Sequence, residues 1–197
     1  MPLLAVDEAR LENDLVYRFH YLAEFIGFTH EDAAVIQASG AYLGPLIPQI
    51  VDTTYDRLLK YDATARHFVP RQAGFDGPVP TDLAKLPSTH PQIQFRKEHL
   101  ARYLMQILGR TCDERFVPYL DMVGKIHTPR AGNPEIEVPL VQMNALIGFL
   151  ADSMCQVIAT LSLDANTTMR MIRAFSKLLW IQNDFITRHY TCQQNEA

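Results

Sequence analysis

The sequence predicts an all-α fold with about seven to eight helices. Apolar residues recur at intervals of three and four along nearly the whole chain, which is the period of a helix with one buried face. Alternating strand patterns are almost absent, and proline or glycine separates the periodic segments. The 197 residues contain no internal repeat and no linker, and this length suits one domain whose core can hold a buried ligand.

Composition and charge argue against several classes of protein. Hydrophobic residues make up 48% of the chain and charged residues 20%, unlike a disordered or fibrous protein. The net charge of -4 is spread over both signs, so we expect no nucleic-acid partner. We expect no membrane partner, because no apolar run reaches about 18 residues. We expect no secretory signal, because acidic residues come early in the chain and no basic start precedes an apolar run. Cys112, Cys155 and Cys192 are far apart and form no CxxC pair, which favours reduced thiols and a cytoplasmic location.

The first third of the chain predicts three helices, and the last two of them meet at a bend. An amphipathic stretch covers about residues 8–25, with leucines on one stripe. Thr29 and Asp32 then have the spacing of a capping box, which predicts a helix start. Pro45 and Pro48 interrupt the long apolar series that follows. Because a proline inside a helix costs about 3 kcal/mol, we predict two helices at this point rather than one straight rod.

The rest of the chain predicts one long loop and four helices. Residues 70–88 are rich in proline and glycine, and a loop of this length in a compact domain is usually functional or mobile. Helical patterns follow over about residues 89–109, 113–127, 139–161 and 164–186. Helices of unequal length joined at bends suit a globin-like packing better than a four-helix bundle.

Several segments resemble protoglobins and the globin domains of globin-coupled sensors. Residues 28–59 read FTHEDAAVIQASGAYLGPLIPQIVDTTYDRLL and resemble the first two globin helices of that family. Residues 113–130 read DERFVPYLDMVGKIHTPR and resemble the helix that carries the haem-ligating histidine. Residues 137–152 read EVPLVQMNALIGFLAD and resemble the helix that follows it. The amphipathic segment before Thr29 is similar to the extra N-terminal helix of the family.

This resemblance implies a domain plan and a cofactor. The plan is a single protoglobin-like domain over residues 1–197, with the extra helix in residues 1–27 and a globin core in residues 28–190. The loop over residues 70–88 is longer than the family leads us to expect. The implied cofactor is haem b with its iron, and the implied ligand is O2, CO or NO.

His127 is the predicted iron ligand. The resemblance places it in a G-x-x-H setting that begins at Gly124. Haem iron needs an axial donor, and a neutral imidazole on a helix is the globin solution. The alternative is a histidine in the last turn of a helix that only complements the helix dipole.

Three aromatic residues match positions around the haem in the family. The resemblance implies that Tyr55 points into the distal pocket and donates a hydrogen bond to the bound gas. Phe68, thirteen residues later, then packs against the haem, and Phe149 limits the space above the iron. The alternative for each aromatic residue is an ordinary contact in the core, where a buried tyrosine hydroxyl finds a backbone partner.

His99 departs from the family pattern. Aligning Arg96 and Lys97 with the distal helix of the family puts His99 where an apolar or aromatic residue is usual, and a shift of one residue puts Leu100 there instead. A His99 that faces the iron would bind the gas by a hydrogen bond or ligate the iron itself. The alternative is a histidine on the solvent edge of the helix. Cationic residues are available for the haem propionates, and the sequence does not choose among Arg96, Lys97, Lys125 and Arg130.

Three functions remain open from the sequence. The first is reversible gas binding or gas sensing by a stand-alone globin, as a homodimer through the last two long helices. The second is a haem enzyme acting on NO, nitrite or peroxide. The third is a haem-free helical sensor or interaction module. The chain shows no Ser-His-Asp order, no HExxH motif and no phosphate-binding glycine loop, so we predict no catalytic residues.

Overall fold

The computed structural model describes residues 3–131 and 134–191, and all regular structure in these ranges is helical. Seven of its helices have nine or more residues, and three are short. In chain order the helices are α1 (Glu8–Asn13), α2 (Leu15–Ile26), α3 (His30–Ala38), α4 (Gly40–Leu43), α5 (Ile47–Leu59), α6 (Asp62–Ala65), α7 (Pro91–Gly109), α8 (Val117–Lys125), α9 (Leu140–Thr160) and α10 (Ala165–Thr191). The predicted all-α class is confirmed.

Local capping explains where the first helices begin and end. The single helix predicted over residues 8–25 is two helices, because Asp14 ends α1 and its side chain accepts hydrogen bonds from the first turn of α2. Helix α2 ends at Gly27, whose φ of 67° lies in the left-handed region that favours glycine. Thr29 and Asp32 form the predicted capping box at the start of α3.

The predicted bend between α3 and α5 is confirmed. Helix α3 stops at Ser39, whose hydroxyl donates to the carbonyl of Ile36. The short α4 and a 3-10 turn over Gly44–Leu46 follow, and Pro45 lies in that turn. Pro48 occupies the first turn of α5, where its missing N–H leaves no hydrogen bond unmade.

Helix α10 is the longest element and organises the packing. It packs against α2, α3, α8 and α9, while α5 packs against α7 and α9. The largest fully buried apolar side chains come from α3, α4, α5, α7, α8, α9 and α10 and from the turn before α8: Ile36, Leu43, Ile50, Ile93, Phe116, Leu120, Ile158, Leu178, Ile181, Phe185 and Ile186. Much of this core packs around α10, and α8 packs against both α10 and α2.

Ion pairs fasten the N-terminal helices to α10. Arg18 of α2 makes a two-pronged contact with Asp184, with Nε–Oδ2 at 2.5 Å and Nη2–Oδ1 at 2.9 Å. Lys177 donates to the carbonyl of Gly27 at 2.5 Å and to the carboxylate of Asp32 at 2.8 Å. These contacts join α10 to the junction between α2 and α3.

Two stretches are long and apolar enough to cross a membrane by length and composition alone, namely His30–Leu59 and Leu140–Thr160. This is weak evidence, because the core helices of a globular protein pass the same test. Here the first stretch is divided among α3, α4 and α5, and both stretches supply core residues. The cytoplasmic location and the absence of a membrane partner stay predictions.

The thiols differ in their surroundings. Cys112 is buried just before α8, and burial raises its pKa to about 11. Cys155 is half-buried, and burial raises its pKa as well. Cys192 lies outside the described residues. The two described thiols are free and protonated at about pH 7.

Candidate functional site

A cavity of about 390 Å³ lies among α5, α7, α8, α9 and α10. Its size falls in the range of about 300–1,000 Å³ that is typical of small-molecule sites. Most of its walls are apolar, and aromatic side chains contribute Tyr55, Phe68, Tyr103 and Tyr119. Of the described residues that line it, none is an aspartate or a glutamate. The cavity therefore suits a largely apolar ligand.

His127 lines this cavity two residues after α8 ends. Its Nδ1 lies 2.8 Å from the carbonyl oxygen of Val123. Because a carbonyl only accepts, Nδ1 carries the hydrogen and Nε2 carries the lone pair. Burial lowers the pKa of His127 to about 4, the charge of Arg96 acts in the same direction, and the hydrogen bond to Val123 opposes both. The ring is therefore a neutral imidazole with a free donor nitrogen at about pH 7.

The position of His127 depends on a close contact between α8 and α10. A Cβ on Gly124 would lie 2.5 Å from the carbonyl oxygen of Phe185 and 2.9 Å from the Cα of Ile186. Only glycine lets the two helix backbones approach this far. The glycine of the G-x-x-H pattern is thus a packing requirement that fixes the end of α8 just before His127.

Charged side chains on α10 reinforce the same contact. Asp121 of α8 accepts from Arg188 Nη1 at 2.6 Å and from His189 Nε2 at 2.9 Å. His189 Nε2 also lies 3.1 Å from the backbone carbonyl of Asp121. Burial lowers the pKa of His189, and Asp121 opposes that shift. A neutral His189 with its hydrogen on Nε2 satisfies these acceptors.

Tyr55 and Phe68 also line the cavity and contact each other. Tyr55 is buried in α5, with 3% of its surface exposed, and its ring centroid lies 5.6 Å from that of Phe68. Burial raises the pKa of Tyr55, while the neighbouring Arg96 guanidinium lowers it. The hydroxyl therefore stays protonated and can donate a hydrogen bond into the cavity.

A glutamine pair that the sequence analysis missed holds Phe68 in place. Gln92 is fully buried in α7, and its Nε2 donates to the carbonyls of Phe68 at 2.7 Å and Pro70 at 2.9 Å. Its Oε1 accepts from the backbone N–H of Gln72 at 3.3 Å. Gln72 in turn donates to the carbonyls of His67 and Pro70. In the sequence, the one sign of this role is that Gln92 is a polar residue next to Ile93, on the apolar face of the predicted helix.

Helix α7 presents both His99 and Leu100 to the cavity. His99 Nδ1 donates to the carbonyl of Phe95 at 2.8 Å, and the centroids of the His99 and Phe95 rings lie 4.3 Å apart. Leu100 packs against the core, seven residues after Ile93 and on the same helical face. The two alternatives from the sequence are therefore neighbours on one wall, with Leu100 on the core side.

Of the four cationic candidates for the propionates, only Arg96 is among the lining residues. The next residue, Lys97, points elsewhere and pairs with Asp52 at 2.8 Å. Lys125 and Arg130 do not line the cavity. From the sequence alone, Arg96 is one of four equal candidates.

The structure does not bring Phe149 to the cavity. Its ring lies beneath the guanidinium of Arg57, 5.1 Å from ring centroid to Cζ. Leu146, Ile147 and Leu150 of the same helix line the cavity instead. The helical register of α9 thus turns Phe149 toward another neighbour, away from the distal position that the resemblance implied.

Comparison with known proteins agrees with this architecture. The chain is similar to the globin domain of the Geobacter sulfurreducens globin-coupled sensor, with a TM-score of 0.67 and 18% sequence identity over 87% of this chain and 96% of that chain. At this identity the likeness shows the fold, which is globin-like. No curated protein matches the chain. The protoglobin family model matches residues 15–196. The chain belongs to the protoglobin family.

Proposed function

We propose that this protein binds haem b through His127 Nε2 and reversibly binds a small gas, O2, CO or NO. The family supports haem binding in general. The observation that carries the proposal for this chain is the state of His127. Its imidazole is neutral, its Nδ1 is engaged by the carbonyl of Val123, and the ring lines a mostly apolar cavity. A ligating histidine typically has its second nitrogen oriented in this way.

The residues around the cavity suit this cofactor. Phe68 and the aliphatic walls offer apolar surface to a macrocycle and exclude water from it. Tyr55 offers a protonated hydroxyl to a ligand in the same cavity. Haem would supply the iron that binds the gas, His127 would hold the iron, and Tyr55 would orient the ligand by donating a hydrogen bond.

The test is the absorption spectrum of the purified protein with hemin. We expect a sharp Soret band that shifts when CO is added to the reduced protein. His127→Ala should lose or grossly alter the band, and His127→Gly should recover it with added imidazole. His20→Ala is the matched control, because His20 is exposed and pairs with Glu114 far from the cavity. The same weak, broad spectrum from His127→Ala and the unaltered protein would refute the assignment and favour a haem-free helical module.

Exposed apolar side chains on the last two long helices support a homodimer. Val141 on α9 is 72% exposed, and Met169 and Trp180 on α10 are 54% and 69% exposed. A ligand-dependent change in such an interface would make the protein a gas sensor. We expect Trp180→Glu to shift the sedimentation coefficient from dimer to monomer. The control Met105→Glu should leave the sedimentation coefficient unchanged, because Met105 is also exposed but lies on α7.

A haem enzyme acting on NO, nitrite or peroxide is the second candidate. His99 and Arg96 favour it, because they add polar groups to a cavity wall that a simple gas binder can leave apolar. Turnover of these substrates with a reductant, reduced in His99→Leu, would support the enzyme. Equal turnover by the variant would argue against His99 as its catalytic residue.

A further inference from the structure

Arg96 extends from α7 into the cavity and lies near both of its functional walls. Its guanidinium is beside the Tyr55 hydroxyl, and its positive charge also acts on His127. Its Nε is buried and makes no hydrogen bond to any described residue. Arg96 therefore lies close to both the iron-ligand candidate and the Tyr55 hydroxyl.

The charge of Arg96 is not compensated by the protein in the described ranges. Among the described residues, no carboxylate lines the cavity and no acid forms an ion pair with Arg96. Its neighbour Lys97, in contrast, pairs with Asp52 at 2.8 Å. Removing a cation from water is costly unless an opposite charge or hydrogen-bond acceptor meets it. The cavity thus offers a cation and a hydroxyl donor to an incoming anion.

We propose that Arg96 and Tyr55 form a subsite that binds a small monovalent anion in the cavity that His127 also lines. The planar guanidinium fork matches an oxyanion such as nitrite, to which it donates two parallel hydrogen bonds. The Tyr55 hydroxyl supplies a further donor. This inference rests on the proposed haem site, because ferric iron held there would supply the remaining contact to the anion.

A haem propionate has the same carboxylate chemistry and is the competing source of negative charge. Two observations favour a free anion. Arg96 as a whole is half-buried, but its Nε is buried and the neighbouring Tyr55 is only 3% exposed, so this end of the side chain faces the interior. The charge of Arg96 also acts on His127, the proposed iron ligand, which lines the same cavity. Propionates keep their charge in contact with water where they can.

The experiment is an optical titration of the ferric holoprotein with nitrite, beside a titration of the ferrous holoprotein with CO. We expect Arg96→Gln to raise the Kd for nitrite about 10- to 100-fold, as expected for the loss of a charge-assisted pair. Arg96→Lys keeps the positive charge but loses the planar fork, so its Kd for nitrite should lie between those of the unaltered protein and Arg96→Gln. CO is neutral, so its affinity should change by less than about threefold. Lys97→Gln, which removes one positive charge outside the cavity, should leave nitrite binding unchanged.

Three results would overturn the proposal in distinguishable ways. If Arg96→Gln takes up hemin and CO normally and keeps its nitrite affinity, the anion subsite is wrong while the haem site stands. If Arg96→Gln binds hemin weakly, and the unaltered protein binds haem dimethyl ester just as weakly, Arg96 is a propionate partner instead. If the unaltered protein takes up no hemin, the proposed function fails and the subsite fails with it.

Discussion

Replacing Gly124 by alanine tests whether the close contact with α10 holds the histidine end of α8 in place. The added Cβ would meet the Phe185 carbonyl oxygen at 2.5 Å, the Ile186 Cα at 2.9 Å and the His189 Cδ2 at 2.9 Å. The first two are backbone atoms, which cannot rotate away as a flexible side chain does. To restore ordinary contact, the distance between the new Cβ and the Phe185 carbonyl oxygen must increase from 2.5 Å to at least 3.4 Å, so one helix must move.

The expected cost follows from two opposing effects. Overpacking of a tight interior costs about 1–3 kcal/mol. Alanine is favoured over glycine inside a helix by about 1 kcal/mol, which offsets part of this. We therefore expect Gly124→Ala to lower the free energy of unfolding by up to about 2 kcal/mol. In a chain of this size a loss of about 2 kcal/mol is a fall in Tm of about 4–8 °C.

Thermal unfolding of the haem-free protein by circular dichroism measures this change. Transfer of hemin to an excess of another globin measures the displacement of His127, and we expect it to be faster in Gly124→Ala. Gly109→Ala is the matched control, because a Cβ at Gly109 meets nothing within 4 Å and its φ is not positive. A Gly124→Ala protein that unfolds at or above the temperature of the unaltered protein would refute the packing argument.

Three further predictions follow from the described contacts. Gln92→Leu should lower the unfolding free energy by about 1–3 kcal/mol and speed hemin loss, because buried backbone groups near Phe68 lose their partner. The control Gln94→Ala, at an exposed position, should change the unfolding free energy by under about 0.5 kcal/mol. Because the folded pKa of His127 is lowered to about 4, the haem-free protein should lose stability as the pH falls from about 6.5 to about 4, and denaturant titrations should show a smaller loss in His127→Leu. Phe149→Leu should leave CO affinity unchanged, whereas Ile147→Ala should alter it, because of these two residues only Ile147 lines the cavity. Flash photolysis measures both variants, and a larger change in CO binding for Phe149→Leu than for Ile147→Ala would contradict this placement.

Features of the fold that depend on local chemistry were predictable from the sequence. The capping box at Thr29 and Asp32 and the bend at Pro45 and Pro48 are as predicted, because each depends on neighbouring residues. Asp14 was the missed local signal, since its carboxylate caps α2 and divides the first amphipathic stretch. Here the apolar stripe continued through the break and concealed it.

Features that depend on contact between distant segments were less predictable. Gln92 joins α7 to carbonyls more than twenty residues earlier, and no local pattern indicates such partners. The direction of Phe149 depends on the register of α9 against its neighbours, which a resemblance of motifs does not fix. Arg96 was named only as one of four cations, because its place beside Tyr55 requires the packing of α5 against α7.

The contact between α8 and α10 has a mechanical consequence. At Gly124 the backbones of α8 and α10 are in contact without an intervening side chain, and the carboxylate of Asp121 accepts hydrogen bonds from Arg188 and His189. Such an interface has no compressible layer, because protein interiors are close-packed and transmit strain. A shift of a few tenths of an ångström at the end of α8 therefore cannot be absorbed locally, and α10 moves with it. We therefore expect α8 and α10 to move together as one rigid unit.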